Sequence, residues 1–500
     1  MFESAEVGRT IPKSEYKERV PELRQRLVHA QHRLRTVKRF PLILMVGGDD
    51  WPGCNDLVNR LHEWMDARYL RLYPVERATQ EERARPRFWR FWRVLPPRGG
   101  TAIFLGGWTL NAIVRRIRGE ESEDSILRLI GHIRRFERSL VDDGAVLLKF
   151  WLHDSGKKAL DRWNESLAEW TLDPNDDPLF EDRDAVLTMS EPILRETSLP
   201  DATWQIIESR DARYRDLTVG ERVLEALESR LGTLNHPIEP IASTTVERVP
   251  ADPIRSEPEP TVLDTVDLTK TIDRDDYDRK LDRWQERLRH ASQRARRLEI
   301  GSVLAFEGWD AAGKGGVIRR MTRAMDARNY RGHSIAAPTD EELARPHLWR
   351  FWRRIPRMGR MGIFDRTWYG RVLVERVEGF ASEEEWGRAY AEINDFESEL
   401  VEAGYVVLKF WLHIDPDEQL RRFRDRERVP FKRFKITDED WRNRDRYEDY
   451  TAAVHDMVEK TSTDTARWHL VPFNSKHYGR IEVLKTVVNA LERAIEERQG

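Results

Sequence analysis

The stretch Ser302–Arg328 reads SVLAFEGWDAAGKGGVIRRMTRAMDAR, and its three parts decide the fold. Ser302 to Gly308 is an apolar run, too short for a helix and closed by glycine, which predicts a buried strand. Gly308 to Gly316, GWDAAGKGG, satisfies G-x-x-x-x-G-K through Gly308, Gly313 and Lys314. Val317 to Arg328 then shows a helical pattern. Strand, glycine-rich loop and helix in that order make a phosphate cradle. Glycines let backbone N–H groups wrap phosphate oxygens, the helix N-terminus adds positive potential, and the lysine neutralises bridging phosphates. A glycine-rich turn with a surface lysine is the bland alternative, and the flanking strand and helix argue against it.

Outward from this stretch the same alternation continues. Further short apolar runs lie at Ser334–Ala337, Met361–Phe364 and Tyr405–Trp411, with a strand also read at Trp468–Val471. Helical patterns occupy Asp340–Ile355 and Glu383–Ala403. Before the first strand, Arg274–Leu298 carries Tyr277, Leu281, Trp284 and Leu288 on one helical stripe. Short buried strands alternating with helices predict an α/β domain with a mostly parallel sheet and helices on both faces. Ligands of such sheets bind at the carboxyl ends of the strands.

The motifs fall at that end. The residue after the lysine, normally Ser or Thr for magnesium, is Gly315, so the hard oxygen ligand nearest to hand is Asp310 inside the loop. An Asx turn is the structural alternative for Asp310. GIFDRTWYGR, Gly362–Arg371, ends a strand with Asp365, placed to act on magnesium directly or through water. Arg366 and Arg371 flank it and offer bidentate contacts to phosphate oxygens. Gly315 and Gly316 complete the cradle. Past the strand ending at Trp411, a basic run carries Arg421, Arg422, Arg424, Arg426, Arg428, Lys432, Arg433 and Lys435. A charge run alone is usually a solvated helix face. At this end of the sheet it reads as a lid, with Arg422 and Arg426 on one helical face closing over phosphate. Lys476 and Arg480 reach toward the same phosphates or lie on an exposed helix.

Composition frames these motifs. The chain has 500 residues with 35% charged and 39% hydrophobic, enough for several domains with cores. Basic and acidic residues nearly balance, 85 against 88, so net charge says nothing about a polyanionic partner. The single cysteine, Cys54, excludes an internal disulfide framework. The N-terminal segment has no apolar h-region and no stretch approaches a membrane span, so a cytoplasmic protein is expected, without membrane or nucleic-acid partners.

The chain also contains itself twice. FWRFWR begins at Phe88 and LWRFWR at Leu348; MDAR begins at Met65 and Met325; KFWLH begins at Lys149 and Lys409. Each pair is 260 positions apart, which means duplicated domains. Residues 236–271 are rich in proline and scattered charge and read as a linker. The expected domains are therefore 1–235, 236–271 as linker, and 272–500.

GWDAAGKGG, IAAPTDEELARPHLWRFWR, FDRTWYGRVLVERVEGFA and EQLRRFRDR, taken in order, resemble the second polyphosphate kinase family and its double-domain members. The resemblance covers the whole chain. It implies two tandem P-loop-kinase-like domains, each with a helical lid. It implies magnesium, with manganese as a substitute, and transfer of the terminal phosphate of inorganic polyphosphate to AMP, giving ADP. Asp310, Lys314, Asp365, Arg366, Arg422 and Arg426 would then take the site roles argued above. Gly370 departs from the family's D-R-S-W-Y-N-R form, where asparagine stands.

The first copy loses this chemistry. Lys314, Gly315 and Gly316 become Cys54, Asn55 and Asp56; Asp365 and Arg366 become Leu105 and Gly106; Arg371 becomes Asn111. Arg422 survives as Arg162, Arg426 becomes Ser166, and Asp50 matches Asp310. Trp89, Trp92 and Trp108 are kept as packing aromatics. The first copy is therefore expected to be inactive and structural or regulatory. Rival readings are phosphorylation of ADP or GMP, an ATP-dependent nucleoside monophosphate kinase, and a non-catalytic polyphosphate-binding protein. A homodimer is left open.

Overall fold

The computed structural model describes residues 1–117, 119, 122–155, 183–235, 260–428 and 438–499. The first copy supplies β1 (Leu42–Gly48), β2 (Leu70–Pro74), β3 (Thr101–Leu105), β4 (Val146–His153) and β5 (Trp204–Glu208). The second supplies β6 (Gly301–Gly308), β7 (Tyr330–Ser334), β8 (Met361–Asp365), β9 (Tyr405–His413) and β10 (Trp468–Pro472). These strands make two five-stranded parallel sheets of one topology, β2-β3-β1-β4-β5 and β7-β8-β6-β9-β10. The α/β expectation holds for both. The central strands β1 and β6 are buried almost throughout, which is why they read as continuous apolar runs. No helix among the described residues is long and apolar enough to cross a membrane.

This topology positions the site. β6 pairs with β8 on one side and β9 on the other. The chain leaves β6 toward one edge of the sheet and later returns to its other side, so a crevice opens at the carboxyl end of β6. The register pairs Phe306 with Asp365, which brings Asp365 beside the loop although 59 residues separate the two in sequence.

Two expectations need correction. The second strand of this copy was expected at Ser334–Ala337, whereas β7 is Tyr330–Ser334. β7 is an edge strand with only Tyr330 and His333 half-buried and the rest exposed, so it lacks an apolar run; Ile335 only reaches the last carbonyl of β8, donating to Asp365 O at 3.0 Å. The helix read at Asp340–Ile355 is two short helices, Asp340–Leu343 and Trp349–Trp352. Pro346 between them has no N–H and bars the helical conformation to the residue before it. The phosphate-loop helix begins at Lys314 and ends at Ala324, where Met325 turns extended.

A buried ion pair recurs in both copies. Lys149 Nζ donates to Glu137 Oε2 at 2.6 Å and to Thr197 O at 2.6 Å. Lys409 Nζ donates to Glu397 Oε2 at 2.8 Å and to Thr461 O at 2.5 Å. Trp108 and Trp368 donate their indole N–H groups to the same two carboxylates at 2.8 and 2.9 Å. Desolvating these charges is costly, and it is tolerated because each has a complete set of partners.

The described residues form two compact units. One holds 1–77, 94–235 and 340–346; the other holds 78–93, 260–339 and 347–499. Within the second unit Trp92 stacks on Trp352 at 5.8 Å, and Met358 N donates to Ala84 O at 2.9 Å. Trp89 and Trp92, repeated from the second copy, thus pack in the second unit, while Trp108 packs in the first.

Candidate active site

At the end of β6 the backbone must pass close to β9. A Cβ on Gly308 would stand 2.6 Å from Leu412 O, and Gly308 adopts φ +147, so glycine is required. The chain then turns through Ala311 (φ +64) and Gly313 (φ +119) into the helix Lys314–Ala324. Gly316 N already donates to Gly313 O at 2.9 Å, which leaves the N–H groups of Lys314 and Gly315 at the helix start as donors toward the loop opening. Lys314 folds back over this opening, its Nζ donating to Gly308 O at 2.5 Å.

Two carboxylates flank the loop. Asp310 Oδ2 accepts from Asn443 Nδ2 at 2.9 Å, and Arg366 Nη2 lies 3.7 Å from Asp310 Oδ1. Asp365 closes β8, with its Oδ2 3.9 Å from where a Cβ on Gly315 would stand. The carboxylate therefore occupies the neighbourhood that a Ser or Thr hydroxyl at position 315 would serve. The donor set suits magnesium or manganese, hard cations that need few protein carboxylates when phosphate oxygens and water complete the shell. No group of three or more His, Cys, Asp and Glu able to hold a metal occurs among the described residues, so those other ligands would be needed.

The expected lid is partly a brace. Arg422 lies on the helix Pro416–Arg428 but is 3% exposed. Its Nη1 donates to Ala311 O and Ala312 O at 3.1 and 2.6 Å, its Nη2 to Phe473 O and Asn474 O at 2.6 and 3.0 Å, and its Nε to Glu418 at 2.5 Å. Arg422 was expected to reach over phosphate; instead it grips the outer side of the phosphate loop. Carbonyls turned toward Arg422 leave their peptide N–H groups aimed away from it. Burial depresses its guanidinium pKa, which the ion pair with Glu418 opposes. Arg426 lies one turn further on and is half-buried, while Lys432 and Lys435 fall outside the described residues.

Of Lys476 and Arg480, the second approaches the loop. Arg480 Nη2 lies 3.5 Å from where a Cβ on Gly316 would stand. Arg320, from the loop helix, donates to Gly316 O at 2.9 Å and to Tyr277 OH at 2.7 Å. Lys476 opens the helix Lys476–Gln499, and burial, then the charge of Arg422, brings its pKa down to about 8. Burial and then the charge of Arg320 likewise lower Arg480. Such a crowd of desolvated cations favours an anion. Arg371 instead faces carboxylates, 3.2 Å from Glu375 and 4.0 Å from Glu385.

Sequence reasoning passed over Glu307, Thr367, Arg320 and Asn443. Glu307 is 6% exposed in β6 and accepts from Thr367 Oγ1 at 2.7 Å. Burial pushes its carboxyl up, opposed by Lys314, the Thr367 bond and Arg366. The available signal was a carboxylate inside an apolar run, one residue before the loop glycine.

The corresponding place in the first unit is filled from within. Asp50 caps the helix Trp51–Trp64 by accepting from Gly53 N at 3.1 Å, the Asx role weighed for Asp310. Cys54 is fully buried, and burial pushes its thiol pKa well up. From β5 and β10 the copies run 264 apart, since Trp204 matches Trp468, so Lys476 and Arg480 correspond to Ala212 and Asp216. Asp216 Oδ1 accepts from Arg215 Nε at 2.8 Å and its Oδ2 from Arg60 Nε at 3.2 Å. Arg215 Nη1 lies 2.9 Å from where a Cβ on Gly53 would stand. An internal guanidinium is thus packed against the loop. Arg162 and Ser166 lie outside the described residues, as does the side chain of Asn111.

A parallel α/β unit with a phosphate loop, a strand-end aspartate and converging cations defines a phosphoryl-transfer fold. The polyphosphate kinase 2 family model matches residues 10–233 and 271–499, and the chain belongs to that family. It is 45% identical to the polyphosphate:AMP phosphotransferase of Pseudomonas aeruginosa over 99% of both chains. It is 36% identical to the protein of the same name from Acinetobacter johnsonii, over 93% of this chain and 95% of that one. The crystal structure of a Pseudomonas aeruginosa PA01 protein described as a polyphosphate kinase 2 superposes with a TM-score of 0.88 at 44% identity, covering 99% of each chain.

Proposed function

We propose that the chain moves the terminal phosphate of inorganic polyphosphate to AMP, giving ADP, at the loop of the second unit. What supports this reading is that Lys314, Asp310, Asp365 and Arg480 lie at one glycine-rich loop, in a chain alike over its whole length to polyphosphate:AMP phosphotransferases. AMP presents an oxygen that is already ionised, so no general base is required. Catalysis is then positioning plus neutralisation of phosphate charge.

Lys314 and the N–H groups of the loop would hold the transferring phosphate. Lys476, Arg480 and Arg426 would receive the rest of the polyanion, with Lys432 and Lys435 as further contacts. Arg366, tethered near Asp310, would meet phosphate oxygens as they arrive; Arg371 would first have to leave Glu375. Asp310 and Asp365 would hold magnesium, which when bound neutralises phosphate charge and aligns the oxygens. The first unit would not react.

Purified protein incubated with magnesium, polyphosphate and AMP should form ADP, with GMP and ADP as weaker acceptors. ATP in place of polyphosphate should not support AMP phosphorylation. AMP phosphorylation from ATP alone would replace this reading with an ordinary monophosphate kinase. Polyphosphate binding without transfer to any nucleotide would leave a binding protein.

A further inference from the structure

Glu307 belongs to none of the roles assigned so far. It sits in β6 immediately before Gly308, buried, with Thr367 Oγ1 donating to it at 2.7 Å. Thr367 Oγ1 is itself anchored by accepting from Tyr369 N at 3.1 Å. The residues that carry two cations adjoin it without forming an ion pair: Lys314 Nζ donates to the carbonyl of the next residue, Gly308, at 2.5 Å, and Arg366 N donates to that of the preceding one, Phe306, at 3.2 Å. A buried carboxylate needs compensation, and here it comes from the Thr367 hydroxyl and, at longer range, from the cations of the phosphate site.

The two copies separate structural from chemical carboxylates. Glu397, which holds the fold through Lys409, Trp368 and Tyr369, has its counterpart in Glu137 with Lys149 and Trp108. Glu307 has none. Glu307, Lys314, Arg366 and Thr367 correspond to Gly47, Cys54, Gly106 and Gly107, so the four disappear together. Packing did not force that loss, because a Cβ on Gly47 would meet nothing within 4 Å.

We infer that Glu307 is a positioning residue for phosphoryl transfer: held by Thr367, it is the internal counter-charge that fixes where Lys314 and Arg366 stand. Without polyanion it restrains both cations at the mouth of the loop. With polyanion bound it keeps them from following the ground-state phosphates, so that they meet the charge of the transferring group. Its negative charge therefore opposes ground-state binding while favouring transfer. This rests on the proposed reaction, but its binding arm does not.

The test is Glu307→Gln in the full-length chain, an isostere that keeps the Thr367 contact and removes the charge. Inorganic tripolyphosphate, titrated calorimetrically without metal, should bind at least threefold tighter. The kcat for AMP-dependent polyphosphate consumption should fall at least tenfold, with KM for AMP within twofold. Glu307→Asp, which keeps the charge, should recover part of the rate. Weaker tripolyphosphate binding together with a lower thermal midpoint would show a merely structural residue and overturn the inference. So would kcat and binding both within twofold of the parent. If the parent itself transfers no phosphate to AMP, the proposed function fails, while the direction of the tripolyphosphate shift still decides the role of Glu307.

Discussion

The loops at 48–56 and 308–316 leave equivalent central strands, β1 and β6, of two sheets with one topology, and their backbones obey the same demands. Gly48 and Gly308 both take positive φ against the neighbouring strand, with a Cβ excluded by Leu152 O in one and Leu412 O in the other. After β3 and β8 the chain makes the same turn: Gly106 N donates to Val46 O and Arg366 N to Phe306 O. Both turn residues are left-handed, at φ +86 and +62. In the first unit the residue is glycine, which adopts that conformation freely. In the second it is arginine, at a cost of about 1–2 kcal/mol. The comparison teaches that backbone requirements and chemical requirements are separable. Where no chemistry is asked of the turn it has relaxed to glycine, and where a cation is wanted beside Asp310 the strain is retained.

The largest effect that should sharpen this contrast comes from Lys314→Ala. Transfer should fall at least ~10³-fold, because the charge on the reacting phosphates loses its neutralising partner. The thermal midpoint should fall by only a few degrees, since among the described residues Lys314 hydrogen-bonds Gly308 O alone and Glu307 keeps Thr367 when the lysine is gone. Steady-state rates and a melting curve check both halves, and transfer within threefold of the parent would break the assignment of the loop.

Arg422→Met should behave in the opposite sense. Four backbone carbonyls lose a buried donor and Glu418 keeps only Arg421 of its two arginine partners, so stability should drop by about 2–4 kcal/mol. Transfer should fall with it, by roughly 10²-fold, through a loosened loop. Chemical denaturation read beside activity separates the two variants. A stable but inactive Arg422→Met would return Arg422 to the phosphate-facing role expected from sequence.

A smaller effect is expected from pH. Lys476 carries its charge below a pKa of about 8 and loses it above. A bound polyanion favours the charged form, so affinity is present below pH 8 and declines as pH rises through it. KM for polyphosphate should increase between pH 7 and 9, by at most about tenfold per unit. Lys476→Arg should flatten that rise. A profile unchanged by the substitution would remove Lys476 from the polyanion path.

The smallest effect concerns the first unit. Cys54→Lys, placed in the Lys314→Ala background, should restore no measurable transfer. Leu105 and Gly106 still offer no metal ligand or cation, and Arg215 with Asp216 still packs beside the loop. Recovery of even a few percent of the parent rate would show that the first loop is closer to function than its residues indicate.

By itself the sequence determined the duplication, the parallel α/β class, the glycine-rich loop and the positions at which the first copy lacks the motif residues. Those features are local or periodic: a strand–loop–helix run, a 260-residue offset, glycines at turns that exclude side chains. It also singled out Lys476 and Arg480, and of these Arg480 lies close to Gly316. Tertiary structure alone decided which arginines are available. Arg422 and Arg426 share a helical stripe and look equivalent in sequence, yet Arg422 is consumed by carbonyls from Ala311, Ala312, Phe473 and Asn474, segments far apart in the chain. It likewise decided that residues 78–93 belong to the second unit and 340–346 to the first, and that Glu307 meets Thr367 across two adjacent strands. A hydrogen bond or an ion pair is set by which atoms meet, and those meetings depend on register and packing between distant segments, which residue spacing does not encode.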